Sequence, residues 1–70
     1  MEMIAVRSSN VAAIGHDPDD LILEIEFLDG SLYRYYDVPE EVFHDFVLAP
    51  SKGRFVWSDI RDQYEYERVR

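Results

Sequence analysis

The sequence predicts a small α+β domain: an antiparallel β-meander of three to four strands, covered on one face by a helix and followed by a short C-terminal helix. Three observations predict it. Residues 21–28, LILEIEFL, alternate apolar and acidic with a period of two, the pattern of a strand with one wet face. An Asp29-Gly30 pair and a second alternating run, SLYRYY, come next, and together they read as a β-hairpin. At Pro39 the period lengthens, and Val42, Phe43, Phe46 and Val47 fall on one stripe of a helix.

In chain order, IAV at 4–6 is placed to pair at a sheet edge or to pack. NVAAIGH reads as the first full strand, joined to LILEIEFL by the turn-rich DPDD at 17–20. The hairpin that follows has two open registers. A two-residue Asp29-Gly30 loop sets Glu26 opposite Tyr33 and Glu24 opposite Tyr35, turning both tyrosines to the wet face. A three-residue loop, with Gly30 in the left-handed position of a bulge and Leu28 exposed at the tip, sets Ile25 opposite Tyr33 and Leu23 opposite Tyr35. The second is favoured. It gathers Leu21, Leu23, Ile25, Phe27, Tyr33 and Tyr35 on one surface and leaves Glu24, Glu26 and Arg34 together on the other. Tyr36 is then the exposed tyrosine.

Asp37 and Glu40 have the spacing of an N-cap and its capping-box partner, with Pro39 in the first turn, where its missing N–H costs nothing. Glu40 and Glu41 suit the positive end of the helix dipole, and Pro50 ends the helix. PSKG then reads as a loop and RFV at 54–56 as a short extended piece. Ser58-Asp59 reads as the cap of a last helical turn carrying Ile60 and Tyr64.

Seventy residues make one core, so residues 1–70 are expected to form a single domain. A chain this short buries only about 60% of the surface it exposes when unfolded. It contains no cysteine, so disulfides and thiolate metal sites are excluded, and stability rests on packing the 47% of residues that are hydrophobic. Fifteen acidic residues against seven basic ones give a formal charge of −8, the opposite of the basic face that general nucleic-acid binding requires. MEMIAVRSSN has no secretory pattern, and no run approaches the ~20 apolar residues of a membrane span. The chain is expected to be cytoplasmic, with no membrane partner.

No catalytic constellation stands out, so no catalytic residue, metal site or cofactor is expected. His16 and His44 lie on different elements without a ligand-spaced partner, and the serines occupy turn and cap contexts. PSKG lacks the upstream glycine and strand-to-helix setting of a phosphate loop. The acidic pairs Glu24/Glu26 and Glu40/Glu41 read as solubilising charges. So does Asp17/Asp19/Asp20, with a weak divalent-cation site as the minor alternative.

The order of elements resembles the KTSC domain, a short module named for the C-terminus of some lysyl-tRNA synthetases and also found as free-standing bacterial proteins. The resemblance rests on Ser8-Ser9, Ala13-Ile14-Gly15, Phe27…Gly30, Tyr33-x-Tyr35, Val38-Pro39, Ala49-x-Ser51-x-Gly53, and Ile60-Arg61 with Tyr64. It spans residues 6–68. On this resemblance Tyr33, Tyr35, Pro39, Ser51, Gly53 and Ile60 are structural motif positions. Two departures stand out: His16 replaces a frequent aromatic, and Phe55-Val56-Trp57 replaces an aromatic-Phe-Asn run. The lost Asn reads as a helix cap whose role Ser58 takes over. The resemblance implies a non-catalytic binding module, with RNA as the ligand that attachment to a tRNA-handling enzyme points to.

The candidate binding residues are Lys52, Arg54, Trp57, Arg61 and Arg68, basic and aromatic side chains late in the chain, with Arg34 and Tyr36 from the tyrosine run. Stacking on aromatics with arginines on phosphate is how single-stranded RNA is held. Against this, Phe55, Ile60 and Tyr64 also suit a core, and Asp59, Asp62, Glu65 and Glu67 interleave with the arginines and can neutralise them. The alternative is a protein-interaction module, a monomer or weak homodimer, using an acidic surface, a spare edge strand and Trp57.

Overall fold

The computed structural model describes residues 1–70. Period-two alternation builds five strands, β1 (Met3–Ala5), β2 (Val11–Asp17), β3 (Ile22–Phe27), β4 (Leu32–Tyr35) and β5 (Tyr66–Arg68). They form one antiparallel sheet in chain order. Leu23 and Ile25, the apolar positions of β3, are fully buried. They stand opposite Tyr35 and Tyr33, so the hairpin takes the three-residue loop. Its bonds show why. Gly30 N–H donates to the Phe27 carbonyl and Phe27 N–H to the Ser31 carbonyl, each at 2.9 Å, with Gly30 at φ +92°. Only glycine enters that region without strain, and Leu28 is exposed at the tip.

On the other side of β3, β2 pairs Ile14 with Ile25 and His16 with Leu23. A bulge between Val11 and Ala13 inserts one residue, so Val11 and Ile14, three apart, both turn into the core. The DPDD link is held by the Asp17 carboxylate, which accepts from the N–H groups of Asp19 and Asp20. The leading IAV does supply an edge, with Ile4 opposite Ile14. At the other edge the expectation of three to four strands falls short, because β5, beyond the expected last helical turn, pairs with β4.

Helix α1 spans Glu40–Leu48, with Glu40 and Glu41 in its first turn. Asp37 does not cap it: Asp37 stands at φ +60°, and Pro39 is the N-cap, its carbonyl accepting from Val42 and Phe43. The reason lies in Val38. This residue is fully buried, with its N–H donating to the Leu21 carbonyl at 2.9 Å, so the chain turns sharply at Asp37 and carries its carboxylate away from the helix end. Phe46 is fully buried and Val42 and Phe43 are half-buried, but Val47, about 100° beyond Phe46 around the helix, faces solvent. Leu21, also expected on the core surface, is exposed at the turn.

The stretch read as a loop and extended piece is helical. Ser51 Oγ accepts from Arg54 N–H at 3.3 Å and starts α2 (Lys52–Phe55). This helix continues into a π-helical turn, Val56–Ile60, where Arg61 N–H donates to the Val56 carbonyl at 2.7 Å. Ser58 and Asp59 are therefore inside the helix and cap nothing; Ser58 Oγ donates back to the Arg54 carbonyl. Val56 and Ile60 join Val11, Ile14, Leu23, Ile25, Tyr35, Val38 and Phe46 in the core. The Phe46 and Phe55 rings stack at 4.9 Å. His16 does the work of an aromatic, stacked on Phe43 at 5.3 Å while Nε2 donates to the Val38 carbonyl at 2.7 Å. Gly53 is needed for close approach, since a Cβ there lies 2.6 Å from Asn10 Oδ1.

Candidate functional site

Alternation along β4 and β5 places Tyr33, Tyr35, Tyr66 and Arg68 on one face of the sheet, with Tyr35 opposite Tyr66 and Tyr33 opposite Arg68. The π-helical turn covers only part of that face. What stays open is a groove of about 370 Å³ lined by Phe27, Asp29, Ser31, Tyr33, Tyr35, Val56, Arg61 and Tyr66. The three tyrosine rings are 5.6–6.5 Å apart and tilted by 25–38° from one another. Phe27 meets Tyr33 edge-on at 5.7 Å. Tyr35 is 5% exposed and anchors the set, whereas Tyr66 is 57% exposed and forms its outer wall. Burial, and then the neighbouring Tyr33 and Tyr66 hydroxyls, push the Tyr35 hydroxyl above its ordinary pKa, against a smaller opposing pull from Arg61.

Two arginines flank the rings. The Arg61 guanidinium lies over the Trp57 ring at 4.1 Å, a cation–π contact that holds it beside the groove, and Trp57 is 66% exposed. Arg68 Nε donates to the Arg70 carbonyl at 3.0 Å. The ion pairs of the chain are Arg34–Glu24 at 2.7 Å and Arg70–Glu26 at 2.6 Å, both on the opposite face of the sheet. The interleaved Asp59, Asp62, Glu65 and Glu67 form no ion pair with Arg61 or Arg68; the carboxylate that Arg68 acts on at longer range is that of Asp29. Near one end sits Asp29, whose Oδ1 accepts from the Ser31 hydroxyl at 2.7 Å and the Ser31 N–H at 3.0 Å. Those two bonds hold its carboxyl below the ordinary aspartate pKa.

The expected binding residues divide into three places. Arg61 lines the groove, Trp57 stacks against Arg61, and Arg68 stands opposite Tyr33 on β5. Lys52 is occupied elsewhere, its ammonium donating to the Val47 and Ala49 carbonyls at the end of α1, and Arg54 lies on α2 beside Ser51 and Ser58. Arg34 and Tyr36 do not belong to the site. Arg34 donates to Glu24 through both Nε and Nη2 on the other face, and the Tyr36 hydroxyl donates to Glu67. Tyr36 is half-buried, and the exposed tyrosine is Tyr66. Asp29 enters the site although the sequence marks it only as a turn residue, and Tyr66, one of the aromatics interleaved with the late arginines, enters it from a strand. The signal for Tyr66 is present in YEYERV at 64–69, a period-two run like those of the other strands.

No group of three or more His, Asp or Glu comes together to hold a metal ion, and no helix is long and apolar enough to cross a membrane. The fold and groove define a small α+β module whose accessible feature is an aromatic cleft on a sheet face. The chain belongs to the KTSC domain family, whose pattern matches residues 7–64. It is 41% identical over 70 residues to a protein of Stutzerimonas stutzeri, covering 99% of each chain. It is 33% identical over 67 residues to a lysine–tRNA ligase of Nostoc sp., covering 96% of this chain and 12% of the ligase. A KTSC domain protein from Yersinia pestis has the same fold, with a TM-score of 0.92 and 37% identity over 99% of this chain and 97% of that one.

Proposed function

We propose that this domain is a non-catalytic binding module that holds a short single-stranded RNA segment in the tyrosine groove. One observation carries the reading: Arg61 and Arg68, unpaired with any carboxylate, flank three contiguous tyrosine rings on a body that is otherwise acidic. Bases stack against aromatic rings whatever their identity, and the arginines meet the phosphates on either side. The same module stands within lysine–tRNA ligases, enzymes named for an RNA substrate, which fits an accessory RNA contact. No chemical step is assigned to any residue of the groove.

Fluorescence anisotropy with labelled single-stranded RNA tests this. Two phosphate contacts give a log–log salt slope of about −1.4 above roughly 0.1 M salt. Arg61→Gln is expected to halve that slope, and Arg34→Gln, on the opposite face, to leave it alone. If RNA binds at no salt concentration while a protein partner is captured through Trp57, the interaction-module alternative replaces this reading.

A further inference from the structure

The geometry points to base selectivity in this groove: we propose that Asp29 selects bases bearing an exocyclic amino group, cytosine, adenine and guanine, over uracil. The inference rests on the RNA reading above and adds to it which bases are accepted. Asp29 and Ser31 line the groove beside Phe27 and Tyr33. The Asp29 carboxylate uses Oδ1 for both bonds to Ser31, and Oδ2 has no partner in the chain. The Ser31 hydroxyl spends its proton on Asp29, so what it presents outward is a lone pair.

The two side chains at that end of the groove, Asp29 and Ser31, therefore both face outward as acceptors. Tyrosine hydroxyls donate or accept as required, so Tyr33, Tyr35 and Tyr66 do not discriminate. The two arginines lie where phosphates are held. Asp29 is thus the one groove-lining side chain that only accepts, whereas Arg61, which only donates, is assigned to phosphate. Cytosine and adenine offer it an amino group at the position where uracil offers a carbonyl oxygen. A uracil O4 set against the carboxylate leaves both acceptors unpaired and repelling, so uracil has to shift along the groove to offer its N3–H instead.

Asp29 has a structural task as well, since its bonds to Ser31 lock the hairpin turn, and the test separates the two roles. In Asp29→Asn the amide oxygen keeps both Ser31 bonds, while an NH₂ donor replaces Oδ2. Oligo-C and oligo-U form the deciding pair, being pyrimidines of equal size. The wild-type domain is expected to bind oligo-C more tightly than oligo-U, by at least about fivefold for one good base-edge contact. Asp29→Asn is expected to abolish or invert that ratio with no change in Tm. Equal binding of the two oligomers by the wild-type domain, with the salt slope intact, overturns the selectivity and leaves RNA binding standing. Binding of neither overturns both. Should Asp29→Asn fail to fold, the wild-type comparison alone decides, because a groove that takes uracil as readily as cytosine has no selective acceptor.

Discussion

Tyr35 and Tyr66 face each other across two strands of the same groove, yet they ought to respond to substitution in opposite ways. Tyr35 is 5% exposed, belongs to the buried core and touches both other groove tyrosines. Truncating a buried aromatic to alanine costs about 3–5 kcal/mol, and Tyr35→Ala belongs at the lower end because Tyr35 also lines the open groove. A 70-residue domain has about 4–10 kcal/mol of stability in total, so this loss takes a third or more of it. At about 4–8 °C per kcal/mol, Tm is expected to fall by roughly 12–24 °C. Tyr66 is 57% exposed on a three-residue edge strand, so Tyr66→Ala is expected to cost no more than about 1 kcal/mol. In RNA binding the rank reverses: Tyr66→Ala is expected to weaken affinity by fivefold to over a hundredfold, from the ~1–3 kcal/mol of one base stack, in a chain that still melts normally. Thermal melts by circular dichroism and anisotropy titrations on the same preparations read both numbers. If Tyr66→Ala melts as early as Tyr35→Ala, or binds RNA like the wild type, the division into anchor and contact wall is wrong.

Alkaline pH gives a second check. Burial raises the Tyr35 pKa, and the hydrogen bond to Glu67 raises that of Tyr36. A raised folded-state pKa means the fold favours the protonated hydroxyl. The stability it contributes is present below the unfolded value of about 10 and is lost as pH rises through the folded values. Tyrosinate absorbance is expected to show two tyrosines ionising late, with unfolding following them, and an unfolding midpoint indifferent to pH above 10 refutes this. A third check sits at the β1 edge. A Cβ at Gly15 lies 2.8 Å from the Glu2 carbonyl oxygen and 2.6 Å from Met3 Sδ. Gly15→Ala is therefore expected to destabilise the domain by about 1–3 kcal/mol and to speed amide exchange in β1; an unchanged Tm contradicts that close approach.

The central part of the fold was legible because its local signals agree. Alternation in LILEIEFL, a left-handed Gly30 and the pairing of Glu24 with Arg34 all demand the same hairpin register. The C-terminal third was not, for two physical reasons. PSKG carries a proline and a glycine, residues that usually punctuate chains, but here Ser51 caps a helix and Gly53 admits Asn10 against it. YEYERV alternates acids with aromatics, as an edge strand does, but its length of three paired residues falls below what periodicity alone resolves. Misplacing β5 hid the groove, because Tyr66 and Arg68 reach Tyr33 and Tyr35 only by pairing. Capping at Asp37 failed for a related reason: the burial of Val38, a tertiary contact, set the backbone there.

The charge of −8 looks hostile to RNA, and its effect depends on distance. The domain measures 28 × 25 × 24 Å, and neither Arg61 nor Arg68 is in an ion pair. At 0.01 M salt the Debye length is about 30 Å, so an approaching phosphate feels every carboxylate on the body; at 0.1 M it is about 10 Å, and Arg61 and Arg68 dominate locally. Raising salt over that range screens long-range repulsion sooner than it screens short contacts. RNA affinity is therefore expected to be flat or to rise from 0.01 M to about 0.1 M salt, and only then to fall with the slope of two phosphate contacts. A basic RNA-binding surface gives a line that falls throughout. On the RNA reading the acidic body is expected to act as a filter that repels long or double-stranded nucleic acid, which lays phosphates across the carboxylate faces, and admits a single-stranded segment short enough to fit the groove. Titrating a short oligomer and a long duplex across the same salt series separates the two. Steady weakening of the short oligomer from the lowest salt upward, or equal affinity for the duplex, means that the phosphates are held somewhere other than between Arg61 and Arg68.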